Sequence, residues 1–299
     1  PTLELDRRQR QMCIRDSPGI ELDGNIVPTG SLQEACHNKD IILNVTPSQI
    51  VRQILQQIRE YLSPQAILIS ASKGIENTTL LTMSEVIREV LSLHDGSRIA
   101  VLSGPSFALE VSREIPTAVT IASENQERAQ QMQQVFSTPY FRVYTNSDVV
   151  GVELGGSLKN VIALAAGISD GLRFGYNTRA ALITRGLAEI SRLALKMGAS
   201  PLTLSGLSGL GDLVLTCTGE LSRNRTVGMK LGEGVKLDQI LKDMKMVAEG
   251  IKTTRSTYDL SRKLNVPMPI TEQVYNILYQ GKDPKEAVTE LMTRDLKVE

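Results

Sequence analysis

The sequence predicts an α/β half followed by an all-helical half, and three observations carry that prediction. Between Ile26 and Asn146, short β-rich runs alternate with helical patterns, as they do when crossover helices join the strands of a parallel sheet. After Asn146 the β-rich runs stop and only amphipathic helical patterns follow. At 299 residues the chain exceeds the usual size of one hydrophobic core, so two domains are expected, residues 18–147 and 148–299.

Taken in order, residues 1–17 (PTLELDRRQRQMCIRDS) stand apart: they are charged, lack sustained periodicity and contain no glycine. They look like a translated sequencing adapter ahead of a truncated reading frame, and a non-native leader is the expectation. Strands are expected near Ile26 and at 40–46, 66–72, 98–103, 117–122 and 140–145, where β-branched and apolar residues cluster. The segments between them carry helix signals. Thr46 and Pro47 open a pattern with Val51, Leu55, Ile58 and Leu62, and Pro64 prevents its continuation. In the second half, helices are expected at 148–168, 177–197, 237–246, 251–264, 271–279 and 284–292.

Composition excludes several function classes. With 33 basic and 33 acidic residues, 4% aromatics and no Trp, neither nucleic-acid binding nor another polyanion partner is expected. Cys13, Cys36 and Cys217 are widely spaced and odd in number, which points to neither a disulfide framework nor a metal cluster, and to a reducing compartment. His37 and His94 sit in polar surroundings outside any ligand spacing. The longest apolar run, residues 161–168, falls far short of the ~20 residues that span a bilayer, and no signal peptide is visible.

One stretch organises the rest: GVELGGSLKNVIALAAG, residues 151–167, an apolar helix pattern with a single cation, Lys159, inside it. Its helical neighbours three and four residues away are Gly155, Gly156, Ile162 and Ala163, which leave room for something to approach. A buried ammonium needs a partner, a lowered pKa or a substrate; snorkelling to solvent, or pairing with a core carboxylate, is an equally weighted alternative. In a parallel α/β sheet, ligands bind at the carboxyl ends of the strands. There stand Thr46, Pro47 and Ser48, then Ser72, Lys73 and Gly74, and then SGPSFA at 103–108, where helix capping by Ser103 is the competing explanation. Gly206, Gly209 and Gly211 are spaced GxxGxG after a helix, which fits a tight connection fixing Asp212 and does not fit a dinucleotide fingerprint. Ser222, Arg223, Asn224 and Arg225 gather groups suited to phosphate, or to a solvated cap.

Together these runs resemble the bacterial-type NAD(P)-dependent sn-glycerol-3-phosphate dehydrogenases. The matching stretches are KGIE from Lys73, LSGPSFA from Leu102, GVELGGSLKN from Gly151, GLGDL from Gly209, SRNR from Ser222 and VAEG from Val247. The resemblance implies a Rossmann domain, here incomplete at its N-terminus, followed by an all-α domain of the 6-phosphogluconate-dehydrogenase C-terminal type. It implies interconversion of dihydroxyacetone phosphate and sn-glycerol 3-phosphate by hydride transfer with NAD or NADP, in the cytoplasm, feeding glycerophospholipid synthesis. Lys159 would be the catalytic acid or base. Lys73, Gly104, Ser106, Asp212, Ser222, Arg223 and Asn224 would contact substrate, and Lys73, Ala108, Arg223, Val247 and Glu249 the cofactor. A homodimer is compatible with the family.

The departure from the family is its opening strand, GxGxxG turn and helix, none of which is present in the sequence. Two expectations follow: no groups for the pyrophosphate or for telling NAD from NADP, and an open edge on the strand near Ile41. The alternative function is therefore an inactive fragment or a phosphate-binding, dimerising module.

Overall fold

The computed structural model describes residues 20, 23–93, 96–244, 248–296 and 298. The leader at 1–17, Cys13, His94 and Val247 lie outside the described residues.

The first half is a sheet with helices on both faces. In chain order its elements are α1 (Leu32–Cys36), β1 (Ile41–Asn44), α2 (Val51–Ile58), β2 (Ile67–Ser70), α3 (Met83–Leu91), β3 (Ile99–Ser103), the one-turn α4 (Ala108–Val111), β4 (Thr117–Ala122), α5 (Gln126–Phe136) and β5 (Phe141–Asn146). Successive side chains of β2 point to opposite faces and define two cores. Leu68 packs with Val51, Leu55, Met83 and Ile87 from α2 and α3, while Ile67 and Ile69 pack with Val119, Ile121 and Met132 on the α5 side. Burial of β2 on both faces is why ILIS reads as an unbroken apolar run. Thr82 and Glu85 form a capping box at the start of α3, the Thr82 amide donating to Glu85 Oε2 at 2.8 Å.

The five strands lie in sequence order. Two features differ from expectation. First, β1–β2, β2–β3 and β4–β5 are parallel, but β3 and β4 are antiparallel. The link between them is spent on the SGPSFA loop and a single helical turn, too little to climb back along the sheet, so the chain returns in the opposite direction. Second, no strand forms near Ile26. The Ile26 amide closes a turn onto Asp23 O at 3.0 Å, Pro28 offers no ladder donor, and Ile26 and Val27 are exposed. Among the described residues β1 is thus an outer strand, paired only with β2 and leaving Leu43 and Val45 exposed.

The second half is helical: α6 (Val149–Gly171), α7 (Tyr176–Lys196), α8 (Pro201–Leu204), a π-helical turn (Leu207–Gly211), α9 (Asp212–Thr218), α10 (Arg223–Gly232), α11 (Leu237–Asp243), α12 (Glu249–Lys263), α13 (Pro269–Tyr279) and α14 (Pro284–Met292). Four of these, α8, the π turn, α9 and α10, fall in a stretch for which no helix bounds were drawn from sequence. Helix α6 is the hub. Asp148 caps it by accepting from the Gly151 amide at 2.8 Å, and nearly every residue from Val149 to Ser169 is buried. It is long and apolar enough to cross a membrane, yet 94% of its most apolar window is buried inside the protein. Helix α10 crosses it with backbones almost touching. A Cβ on Gly167 would lie 2.0 Å from Arg225 O, and one on Gly228 2.1 Å from Leu164 O. Glycine is required on both helices for this approach.

Candidate active site

The carboxyl ends of β1, β2 and β3 face the middle of α6, and a buried carboxylate holds two lysines there. Lys73, in the loop after β2, donates from Nζ to Asp212 Oδ2 at 2.7 Å and to Gly104 O at 3.0 Å. Lys159 donates from Nζ to Asp212 Oδ1 and, at 2.8 Å, to Thr216 Oγ1. Asp212 is 1% exposed and Lys159 6% exposed, so both charges have left water and depend on each other. Burial pulls the Lys159 ammonium down to about 7; the Lys73 ammonium pushes the same way and Asp212 opposes them. Lys159 does not snorkel.

Local sequence explains this geometry. Leu207–Gly211 makes a tight π turn whose backbone presses on α6, where a Cβ on Gly155 would meet Ser208 O at 2.6 Å. The turn delivers Asp212 to the first position of α9, and Thr216, one turn later, accepts from the same lysine. Gly104 has φ +139, a conformation L residues rarely adopt, and turns its carbonyl to Lys73. Ser106 Oγ donates to that same carbonyl at 3.2 Å. Ser103 does not cap a helix: its Oγ is buried without a partner and rests where a Cβ on Gly156 would be, at 2.3 Å.

At the start of α10, Ser222 Oγ accepts from the Arg225 amide at 3.3 Å, so this hydroxyl serves as a cap. Asn224 Nδ2 donates to Asn160 Oδ1 at 2.9 Å, and its Oδ1 accepts from the Gly250 amide at 2.9 Å. Arg225 turns away, donating to Asp170 Oδ2 at 2.7 Å beside Arg179, and serves the joint of α6, α7 and α10. Arg223 is exposed. Glu249 accepts from Ser48 Oγ at 2.7 Å; burial raises its carboxyl, opposed by the Ser48 bonds and by attraction to Arg223.

The structure thus gathers Lys73, Gly104, Ser106, Lys159 and Asp212 at one point, with Ser222 and Asn224 on the adjoining helix start. Ala108 is exposed at the start of α4. Sequence reasoning passed over Thr216, although the four-residue spacing from Asp212 signals a shared helix face, and noted Asn160 without giving it a role.

For a dinucleotide, the fit is partial. An unpartnered buried Ser103 hydroxyl and a lysine pair at the strand ends suit the polar end of a nicotinamide and its substrate. No glycine-rich strand-to-helix turn for the pyrophosphate occurs among the described residues.

A sheet with ligand-binding strand ends, joined to a bundle on a buried helix that brings a desolvated lysine to those ends, defines a two-domain nicotinamide-dependent dehydrogenase. The family profile described as the NAD-dependent glycerol-3-phosphate dehydrogenase N-terminus matches residues 7–129, and that described as its C-terminus matches residues 148–289. The chain belongs to this family. It is 58% identical over 299 residues to the glycerol-3-phosphate dehydrogenase (NAD(P)+) of Geobacter metallireducens, covering 100% of this chain and 89% of that one. It is 60% identical over 282 residues to the same enzyme of Geobacter sulfurreducens, covering 94% and 84%. The crystal structure of glycerol-3-phosphate dehydrogenase from Coxiella burnetii superposes with a TM-score of 0.89 at 37% identity, over 96% of this chain and 89% of that one. A ketopantoate reductase from Ralstonia eutropha, at 12% identity and a TM-score of 0.56, shares the fold alone.

Proposed function

We infer that this chain interconverts dihydroxyacetone phosphate and sn-glycerol 3-phosphate with NAD or NADP. The observation that carries the reading is the buried Lys159, tuned to about 7 and held on Asp212 at the strand ends. In the reducing direction the Lys159 ammonium polarises the C2 ketone and gives its proton to the developing alkoxide; in reverse, neutral Lys159 removes the hydroxyl proton. Asp212 orients the ammonium and, against the pull of burial, favours its charged form. Lys73 brings a second cation to substrate and cofactor, with the Gly104 and Ser106 loop beside it. The start of α10, with Ser222, Arg223 and Asn224, takes the phosphate. When bound, the nicotinamide supplies or accepts the hydride, and Lys73, Ala108, Arg223, Val247 and Glu249 would hold it.

In this reading residues 18–147 carry the cofactor side and 148–299 the substrate side, the reaction runs in the cytoplasm with no nucleic-acid partner, and a homodimer is compatible with it. Its product supplies glycerophospholipid synthesis. A phosphate-binding module without chemistry is disfavoured by relatives named as glycerol-3-phosphate dehydrogenases over the whole length of this chain.

The test is nicotinamide absorbance on adding dihydroxyacetone phosphate, run with NADH and with NADPH. Turnover with either supports the reading; none with both overturns it.

A further inference from the structure

We propose that Ser48 is a positioning residue for this reaction, registering the phosphate side of the site on the sheet through Glu249; the proposal rests on the dehydrogenase reading above. Ser48 follows β1 in a 3-10 turn (Ser48–Ile50) and is 1% exposed. Its Oγ donates to Glu249 Oε2 at 2.7 Å, joining positions 201 residues apart on the two halves of the chain. Glu249 is the first residue of α12, and the next amide, that of Gly250, donates to Asn224 Oδ1 at 2.9 Å. Asn224 Nδ2 in turn donates to Asn160 Oδ1 at 2.9 Å, and Asn160 follows Lys159 on α6. A continuous set of hydrogen bonds and covalent links therefore runs from the end of β1 to the residue beside the reacting ammonium.

The contacts along this path leave little slack. A Cβ on Gly250 would lie 2.7 Å from Asn224 Oδ1 and 2.8 Å from Asn160 O, and a Cβ on Gly74 2.3 Å from Ser48 Oγ. Gly74 is the neighbour of Lys73. The adjoining Gln49 donates from Nε2 to Ile75 O at 2.8 Å and accepts from the Asn77 amide at 3.0 Å, so the same turn also fixes the Lys73 loop. Its Nε2 reaches Ser48 Oγ as well, at 3.2 Å. A turn that served only to start α2 would have no need of bonds to both the Lys73 loop and the start of α12. These bonds align the lysine side and the phosphate side of the cleft on one serine. Ser48 touches neither reacting group, and its effect on the reaction is exerted through Glu249.

The experiment uses the full chain at saturating cofactor and compares wild type, Ser48→Ala, Glu249→Ala and the double variant. Losing a hydrogen bond to a charged group is expected to raise KM for dihydroxyacetone phosphate about tenfold in Ser48→Ala, with kcat changed less than about threefold. In the Glu249→Ala background, Ser48→Ala is expected to add nothing. An equal further loss in that background, or an unchanged KM in the single variant, overturns the proposal. A second measurement does not depend on turnover: hydrogen exchange at the Gly250 amide is expected to rise in Ser48→Ala and in Glu249→Ala while β2 keeps its protection. Unchanged Gly250 exchange in both also overturns the proposal. If wild type fails to turn over dihydroxyacetone phosphate, the functional reading fails, and the exchange measurement still decides the role of Ser48.

Discussion

Replacing Gly228 by alanine puts one methyl group into the crossing of α6 and α10. Its Cβ would sit 2.1 Å from Leu164 O, 2.9 Å from Ile168 N and 3.0 Å from Gly167 Cα, where ordinary contact begins at 3.4 Å. The obstructing atoms are helix backbone, so no side chain can swing aside, and α10 must move outward by about 1 Å. Overpacking of this kind costs roughly 1–3 kcal/mol, which for a unit of this size lowers the melting temperature by roughly 2–12 °C. The same helix carries Ser222, Arg223 and Asn224 at its start, and a displacement near 1 Å between binding groups and acid costs up to about 10²-fold in kcat/KM. Thermal unfolding followed by circular dichroism, with steady-state kinetics on the same samples, measures both effects. Gly24→Ala, whose Cβ meets nothing within 4 Å, is the control and is expected to change neither. If Gly228→Ala melts with wild type and keeps its kcat/KM, the backbone contact does not set the position of α10.

Two further outcomes are expected. Lys159→Met should lower kcat by ~10²–10⁴-fold while KM moves less, because it removes the proton donor and leaves the phosphate contacts; turnover within a few-fold of wild type would make Lys159 structural. Arg223→Leu should mainly raise KM for dihydroxyacetone phosphate, by roughly 0.2–1 kcal/mol in binding as for an exposed charge, and leave phosphate-free dihydroxyacetone nearly unaffected. An equal loss for both substrates refutes the phosphate role.

What could be read in the sequence was what repeats locally. All five observed strands lie within two residues of their expected bounds, because β-branched runs between turn residues are a local signal. The burial of Lys159 was half legible: the glycines and aliphatic residues around it favoured a buried ammonium, with snorkelling or a core carboxylate partner weighted equally, and the structure buries it at 6% exposure. What pairs with Lys159 was not. Asp212 lies 53 residues from Lys159 and 139 from Lys73, and nothing local in GLGDL says that its carboxylate faces two ammonium groups. Strand direction escaped for a similar reason: β3 and β4 are antiparallel because of how the connecting loop is spent, and periodicity carries no direction. Near Ile26 local propensity suggested a strand, but a strand needs a partner, and an Asp23 turn with Pro28 took its place.

Two lysines share one buried carboxylate, and that imbalance of partners predicts how the enzyme responds to pH. Burial and the neighbouring Lys73 bring the Lys159 ammonium down to about 7, so its proton is exchanged near neutrality and not near the ordinary lysine range. Reduction of the ketone needs charged Lys159, so its kcat/KM falls as pH rises through about 7. Oxidation of the alcohol needs neutral Lys159, so its kcat/KM rises over the same interval. The substrate phosphate also titrates, near pH ~6, but it moves both directions alike, so the opposite slopes belong to the lysine. A phosphate dianion bound beside the cluster favours the ammonium and lifts its pKa in the complex. The falling limb of kcat for reduction therefore lies at higher pH than that of kcat/KM. In this arrangement the substrate's phosphate helps keep the acid protonated, which is why a phosphate-free ketone is expected to react slowly even when saturating. A kcat/KM limb near the ordinary lysine value of ~10, or slopes of the same sign in both directions, would show that Lys159 is not the group that moves the proton.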